Sequence, residues 1–373
     1  MDERERLHEL FCELCRLDSP SGREQVCAER VRAELADLGL SVSEDDAAAQ
    51  IGAGCGNLLA RAPGPPGTPR VLLCAHMDTV PAAAPIEPEL VEGFYANANE
   101  AILGADNKAA IAVILAVLRR SAERGAPVAL ELLFTVGEER ALAGARAFDV
   151  HQLQSPTGYV FDHATPIGEI ITAAPSSYSL SASFRGAAAH AGICPEAGRS
   201  AIVAAAHAVA AMQLGRLDEQ STANIGVLEG GSAVNVVPER CTLRGEARSL
   251  DDARAGEVVA AMVDHIHDAA NRPDCECDVD VTVERLYGAY RVPGTSEALR
   301  VAERALERHA IAPRRIATGG GSDAAVLRAG GVDCVNLANG TEAAHEPTER
   351  VSAAALDTML EVVWSLLQET AAA

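Results

Sequence analysis

The chain reads as an α/β protein: a mixed, mostly parallel sheet sandwiched by helices, with a ferredoxin-like α+β lid domain inserted into it. Two observations predict this. Up to residue 172, and again after 292, short apolar runs of strand length alternate with helical patterns. That is how sheets buried on both faces are written. Between 173 and 291 the pattern changes to β-α-β-β-α-β with half-exposed strands, the order of a ferredoxin-like layer. One domain, 1–172 with 292–373, is therefore made from both chain ends, and 173–291 is a separate insertion.

Two amphipathic stretches, Glu3–Leu17 and Arg23–Leu38, open the chain. The Asp18-Ser19-Pro20-Ser21-Gly22 segment between them stops one helix and offers a cap to the next. Asn57–Ala60 is a short strand, and Pro63–Gly67 is a turn. Val71–Ala75 is a continuous apolar run, read as a strand buried on both faces. Asp106–Leu118 is apolar all round and reads as a buried helix. Val128–Val136 and Gly158–Phe161 supply further strands. In the insertion, Tyr178–Phe184, Asn224–Leu228, Cys241–Arg248 and Cys277–Leu286 are strands, and Arg199–Met212 and Asp251–Ala270 are helices. The α/β style then returns with helix Ser296–His309, strand Cys334–Leu337 and a closing helix from Val351.

Composition narrows the function classes. The 373 residues suit two domains. The formal net charge of −22 would repel phosphate backbones and anionic lipid, so neither nucleic acid nor a membrane is expected as partner. No signal-peptide order and no membrane-length apolar run is present, which points to a cytoplasmic protein. The ten cysteines are scattered; Cys12 and Cys15 lie on a helical pattern with no second pair at zinc-finger spacing, and reduced thiols are the simpler account.

Five segments carry chemistry-bearing side chains at strand ends or helix starts. His76-Met77-Asp78 follows a buried strand, where α/β sheets gather ligands. A carboxylate near such a histidine can fix its tautomer. Asp106-Asn107-Lys108 opens the buried helix, where a plain N-cap is the competing account. Glu138-Glu139 follows an apolar strand; on an extended segment the two side chains diverge. Asp162-His163 ends a strand, and His345 stands in Ala344-His345-Glu346-Pro347. Taken singly, each is ordinary surface or capping chemistry. Together they supply N and O donors for a metal centre, and two close metals would need a bridging carboxylate.

The segments Ala75–Val80, Gly104–Lys108, Gly137–Glu139 and His345 resemble the di-zinc peptidase family of peptidase T, carboxypeptidase G and acetylornithine deacetylase. Phe161-Asp162, Ala187–Gly192, Glu246–Ser249 and Gly319–Asp323 resemble its peptidase T-like branch. The resemblance implies a hydrolase of amide bonds in small peptides, such as a di- or tripeptide aminopeptidase. A carboxypeptidase or N-acyl-amino-acid deacylase on the same centre is the alternative, and a catalytically dead binding protein of the same fold a remote one. It implies two Zn2+ per subunit, with Co2+ or Mn2+ possible. His76, Asp106 and Asp162 would hold one and Asp106, Glu139 and His345 the other. Asp78 would orient His76, and Glu138 would be the general base. In the lid it points to His190, Asn235 and Arg248 as substrate-binding, with Gly320 and Gly321 offering amides from a Gly319–Gly321 nest. It also implies a homodimer through that lid. Two departures stand out: Asn107 where the family has a second Asp, and His163 as an imidazole competing with Asp162.

Other chemistries fit poorly. Gly52–Asn57 lacks the last glycine of a dinucleotide loop, and Gly320–Ala324 lacks that of a serine-hydrolase elbow. His345-Glu346-Pro347-Thr348-Glu349 ends in Glu where a helical zinc motif ends in His, and its proline interrupts a helix.

Overall fold

A computed structural model describes residues 2–372. The chain separates into two compact units. One runs to Thr172 and resumes at Arg291; the other is Ala173–Tyr290.

The first unit is organised by one sheet. Its order runs Val42–Glu44, Leu58–Ala62, Ala129–Thr135, Arg70–His76, Thr157–His163, Asp333–Ala338 and Glu169–Ala174. The four middle strands, Ala129–Thr135 to Asp333–Ala338, are parallel, and their outer neighbours pair antiparallel. Alternate residues of these strands enter different layers. Val71, Leu73 and Ala75 join Leu130, Leu132, Phe134, Tyr159 and Phe161 in a core covered by helices Glu3–Cys15, Ala105–Arg124, Glu297–Glu307 and Ala353–Ala372. Leu72, Cys74, Leu133 and Val160 are equally buried but lie outside that cluster, on the face where Asp323–Ala329 packs. This explains runs that read as apolar throughout.

From Arg70–His76 the chain moves to Ala129–Thr135 on one side, then crosses to Thr157–His163 on the other. The strand order thus reverses around Arg70–His76, and the carboxyl ends of these strands flank a crevice of the kind that holds ligands. His76 ends the first of these strands, Glu138 and Glu139 follow the second, and Asp162 lies at the end of the third.

A second, four-stranded sheet was not visible in the hydrophobic pattern: Pro88–Val91, Phe94–Asn97, Arg350–Ser352 and Thr341–Glu342 pair antiparallel. Its strands are two to four residues long, too short for periodicity to register. The connection between its last two chain segments, 343–349, carries His345.

The Ala173–Tyr290 unit has its own core. Strands Ser176–Arg185, Ser221–Gly230, Arg240–Ser249 and Asp278–Tyr287 form an antiparallel sheet in which the first strand pairs with the third and fourth. Helices Ala201–Ala211 and Asp252–Ala270 pack on it. Among the described residues no helix is long and apolar enough to cross a membrane, and the ten cysteines are free.

Candidate metal centre

His76, Asp78, Asp106, Glu138, Glu139, Asp162 and His345 enter one polar cluster in the first unit. The His76 ring donates or accepts at both nitrogens: Nδ1 lies 2.9 Å from the Asp78 carbonyl, and Nε2 lies 3.2 Å from Asp106 Oδ1 and 3.5 Å from Asp162 Oδ1. His345 Nε2 lies 2.8 Å from Glu139 Oε1 and 3.4 Å from Asp106 Oδ2. Asp106 thus turns one oxygen to each imidazole. The ligand atoms of His76, Asp106 and Asp162 fall within 4.8 Å of one another, and so do those of Asp106, Glu139 and His345. Each set is N and O donors without a thiol, and carboxylates outnumber imidazoles, so the residues fit a pair of divalent cations.

Asp106 does not cap the helix. Its backbone is non-helical (φ −82°, ψ 102°), as is that of Asn107, and the carboxylate faces the histidines. The regular helix begins after this pair, which is why so apolar a segment starts with polar residues.

Asn107 is explained by its neighbours. Its amide nitrogen donates to the Phe161 carbonyl at 2.8 Å and reaches Asp162 Oδ1 at 3.3 Å. An aspartate there would bring a third carboxylate against Asp106 and Asp162 with no proton to offer. His163 is not a competitor, because its ring turns toward Glu169, 4.0 Å away. Asp162 is held instead by Asn336, which accepts from its amide at 2.9 Å and donates to its carbonyl at 2.8 Å.

The Glu138-Glu139 pair corrects the extended-segment expectation. These residues form a turn, with the Leu142 amide bonded to the Glu138 carbonyl and Ala143 to that of Gly137. Their side chains converge with His76 within 4.8 Å instead of diverging. Asp78 holds this turn: its carboxylate accepts from the amides of Glu138 (3.0 Å) and Glu139 (3.1 Å) and from Ser21 Oγ (2.6 Å). Asp78 therefore orients two carboxylate-bearing residues besides lying 3.4 Å from the His76 ring.

The electrostatics follow from this crowding. Burial pushes the Glu138 carboxyl well above its ordinary range, and the neighbouring Asp162 adds to it. Burial also opposes ionisation of Asp106, but hydrogen bonds from His345 and His76 outweigh it and hold that carboxyl low. His345 is raised to about 10 by its hydrogen bonds with Asp106 and Glu139. The acids hold protons on the imidazoles, which a divalent cation would displace.

Three further residues escaped the sequence reading. Asp323, inside the Gly319–Asp323 segment, is buried beneath the centre, where Oδ2 accepts from Thr135 Oγ1 at 2.6 Å. Glu349 accepts three backbone amides beside Asp106. Glu24 accepts from Gly137 and Gly22. All are carboxylates that act on backbone or hydroxyl groups, a use that has no spacing signature.

The remaining expected residues are not in this cluster. His190 and Asn235 belong to the Ala173–Tyr290 unit, on adjoining segments where the Ala191 amide bonds the Asn235 carbonyl at 2.9 Å. Both are exposed. Arg248 Nη2 is paired with Glu246 on its own strand at 2.9 Å. In the first unit, Gly319 and Gly320 have no positive φ, a Cβ on either would meet nothing close, and the Gly320 amide donates to Thr318 Oγ1. A strained glycine nest is therefore absent at these two residues. Gly321 follows in the same half-buried loop.

Residues 72–369 match the Peptidase family M20/M25/M40. The chain belongs to this family. As a family M20/M25/M40 metallopeptidase it is 34% identical to an uncharacterised Bacillus subtilis protein, YqjE, over the whole of both chains. Among solved structures it is similar to aminopeptidase PepT of Bacillus cereus, at 36% identity, 99% of each chain and a TM-score of 0.85. A Staphylococcus aureus tripeptidase superposes with a TM-score of 0.91 at 33% identity, again over 99% of each chain.

Proposed function

We propose that this peptidase is a cytoplasmic di-zinc enzyme that removes residues from di- or tripeptides. The observation that carries the reading is the shared Asp106, one oxygen toward His76 and one toward His345, within two sets of donors that each close to 4.8 Å. His76, Asp106 and Asp162 would hold one Zn2+, and Asp106, Glu139 and His345 the other, with Co2+ or Mn2+ as substitutes. When bound, the ions supply a Lewis acid for the scissile carbonyl and make hydroxide accessible near neutral pH. Glu138 takes the proton from the attacking water and hands it to the leaving nitrogen; it is placed for this by the turn that brings its carboxylate within 4.8 Å of the His76 and Glu139 donor atoms. Asp78 keeps Glu138 and Glu139 in register through their amides. The small-peptide substrate follows the similarity to an aminopeptidase and a tripeptidase over nearly the entire chain.

In the other unit, His190, Asn235 and Arg248 are assigned to substrate, Arg248 as a fork for its terminal carboxylate. Gly321 is assigned to the same task, and Gly320 too where its amide exchanges Thr318 Oγ1 for the substrate. That unit is also assigned to pairing two chains. Leu228 on strand Ser221–Gly230, together with Val203 and Val234, is exposed, and among the described residues that strand's outer edge is paired only by Gly215–Arg216. An apolar, open edge of this kind suits a second copy. Sedimentation as a monomer would remove the pairing.

The central assignment is tested by separating its two glutamates. Glu138→Gln should keep both metals while kcat falls ~10²–10⁴-fold. Glu139→Gln should lose or loosen one metal. Metal content measured beside a panel of peptides and N-acyl amino acids decides it; the reverse pattern exchanges the two roles, and preference for N-acyl amino acids rejects the peptide assignment.

A further inference from the structure

The segment His345-Glu346-Pro347-Thr348-Glu349 fails as a helical zinc motif because its last residue is glutamate. The structure gives that glutamate a different task. Glu349 is 1% exposed and lies in the connection between strands Thr341–Glu342 and Arg350–Ser352. Its Oε2 accepts from the amides of Leu103 at 2.8 Å and Gly104 at 2.7 Å, and its Oε1 accepts from the amide of Asp106 at 2.9 Å.

Asp106 is thereby held from both ends: its side chain by His76 and His345, its backbone by Glu349. Asp106 lies in the first turn of its helix, where amides have no acceptor within the helix, so one must come from elsewhere. Glu349 supplies it from the same short connection that presents His345. The connection is itself fixed, with the Glu346 amide bonded to the Ala343 carbonyl and the Glu349 amide to that of Glu346. His345 adopts a left-handed φ of 68°, a conformation that persists only where surroundings enforce it.

We infer that Glu349 is a positioning residue for the metal centre, a backbone clamp that fixes the bridging Asp106 relative to His345. The inference rests on the metal roles proposed above for those two residues. It concerns a carboxylate whose oxygens are given to three backbone amides. Groups that orient ligands in this way govern metal affinity, and losing one typically costs about ten- to hundredfold.

The test uses the full-length protein. Glu349→Gln keeps the shape but places an amide nitrogen against backbone N–H groups; Glu349→Ala removes the clamp. Each is compared with wild type and with Glu346→Gln, an exposed neighbour. Zinc affinity is measured by competition with a chromophoric chelator, and the visible spectrum of the cobalt-loaded form reports ligand geometry. Both Glu349 variants should bind metal about ten- to hundredfold more weakly, with an altered cobalt spectrum and an unchanged far-ultraviolet dichroism. Glu346→Gln should match wild type. Wild-type affinity and spectrum in both Glu349 variants would overturn the clamp. A wild-type protein that binds no metal would instead overturn the metal assignment itself.

Should the variants not fold, hydrogen exchange on metal-free wild type decides. The amides of Leu103, Gly104 and Asp106 should be protected like the core, and exchange at open-loop rates would show that Glu349 does not hold them.

Discussion

Among the described residues, two places bring three metal-capable side chains within 4.8 Å: the cluster around Asp106, and His207 with Asp274 and Cys275 in the other unit. They differ in what surrounds them. The His76 side chain is 1% exposed, whereas those of His207 and Asp274 are 38% and 52% exposed. Around Asp106 each segment is fixed by a group that is not assigned as a ligand: Asp78 under the Glu138-Glu139 turn, Asn336 behind Asp162, Glu349 behind Asp106. At the second place Asp274 is already taken by Arg272, 3.0 Å away, whose positive charge answers the carboxylate. Proximity of donors is common. Buried support and an excess of carboxylates over cationic partners are what set the Asp106 cluster apart.

The comparison breaks first at Asp106. Asp106→Ala should empty both sets and bring peptide hydrolysis to background, with metal analysis falling from two ions toward none. Retention of one tightly bound ion would show that Asp106 does not bridge. Arg248→Lys tests the other unit's share. Metal content should stay at wild type while kcat/KM falls about ten- to hundredfold on free-acid peptides and hardly at all on their amides. Equal losses on both substrates would reject Arg248 as the carboxylate fork.

A smaller effect concerns the cost of burying acids. Burial raises Asp323 from an ordinary 3.8 to about 7, against a hydrogen bond from Thr135. A folded state that favours the protonated acid is stabilised fully below pH 3.8. That stabilisation is lost as pH rises through about 7. Metal-free wild type should therefore melt at lower temperature as pH goes from 5 to 8, and Asp323→Asn should flatten that slope; an equal slope in both proteins would sink the assignment. The smallest effect is expected at the second cluster. Cobalt-loaded protein should show no thiolate-to-cobalt absorption, since the Asp106 cluster holds no cysteine, and Cys275→Ser should change neither metal content nor rate. A thiolate band lost in Cys275→Ser would make that cluster a site after all.

Much of this was legible in the sequence for physical reasons. Strands buried on both faces are continuous apolar runs, so Arg70–His76 and Ala129–Thr135 announced themselves, and the polar residues terminating them stood at the ends where such sheets gather ligands. The short sheet that carries His345 and Glu349 was not legible, because two- to four-residue strands have no period. Nor were Glu349, Glu24 and Asp323: each binds backbone or a hydroxyl, and its partner lies far along the chain. The Glu138-Glu139 turn was misread as extended, since nothing local distinguishes a strand's continuation from the turn that Asp78 imposes on it.

The first unit is assembled from both ends of the polypeptide, and this has a consequence during synthesis. A nascent chain possesses His76, Asp106, Glu139 and Asp162 once its first half has emerged, but His345 and Glu349 arrive only after the entire Ala173–Tyr290 unit has been translated. Until then Asp106 has neither its second imidazole nor its backbone anchor. On the metal roles proposed for Asp106 and His345, hydrolytic competence is thus deferred until the Ala173–Tyr290 unit has been made, and a product terminated within that unit would be an unarmed fragment.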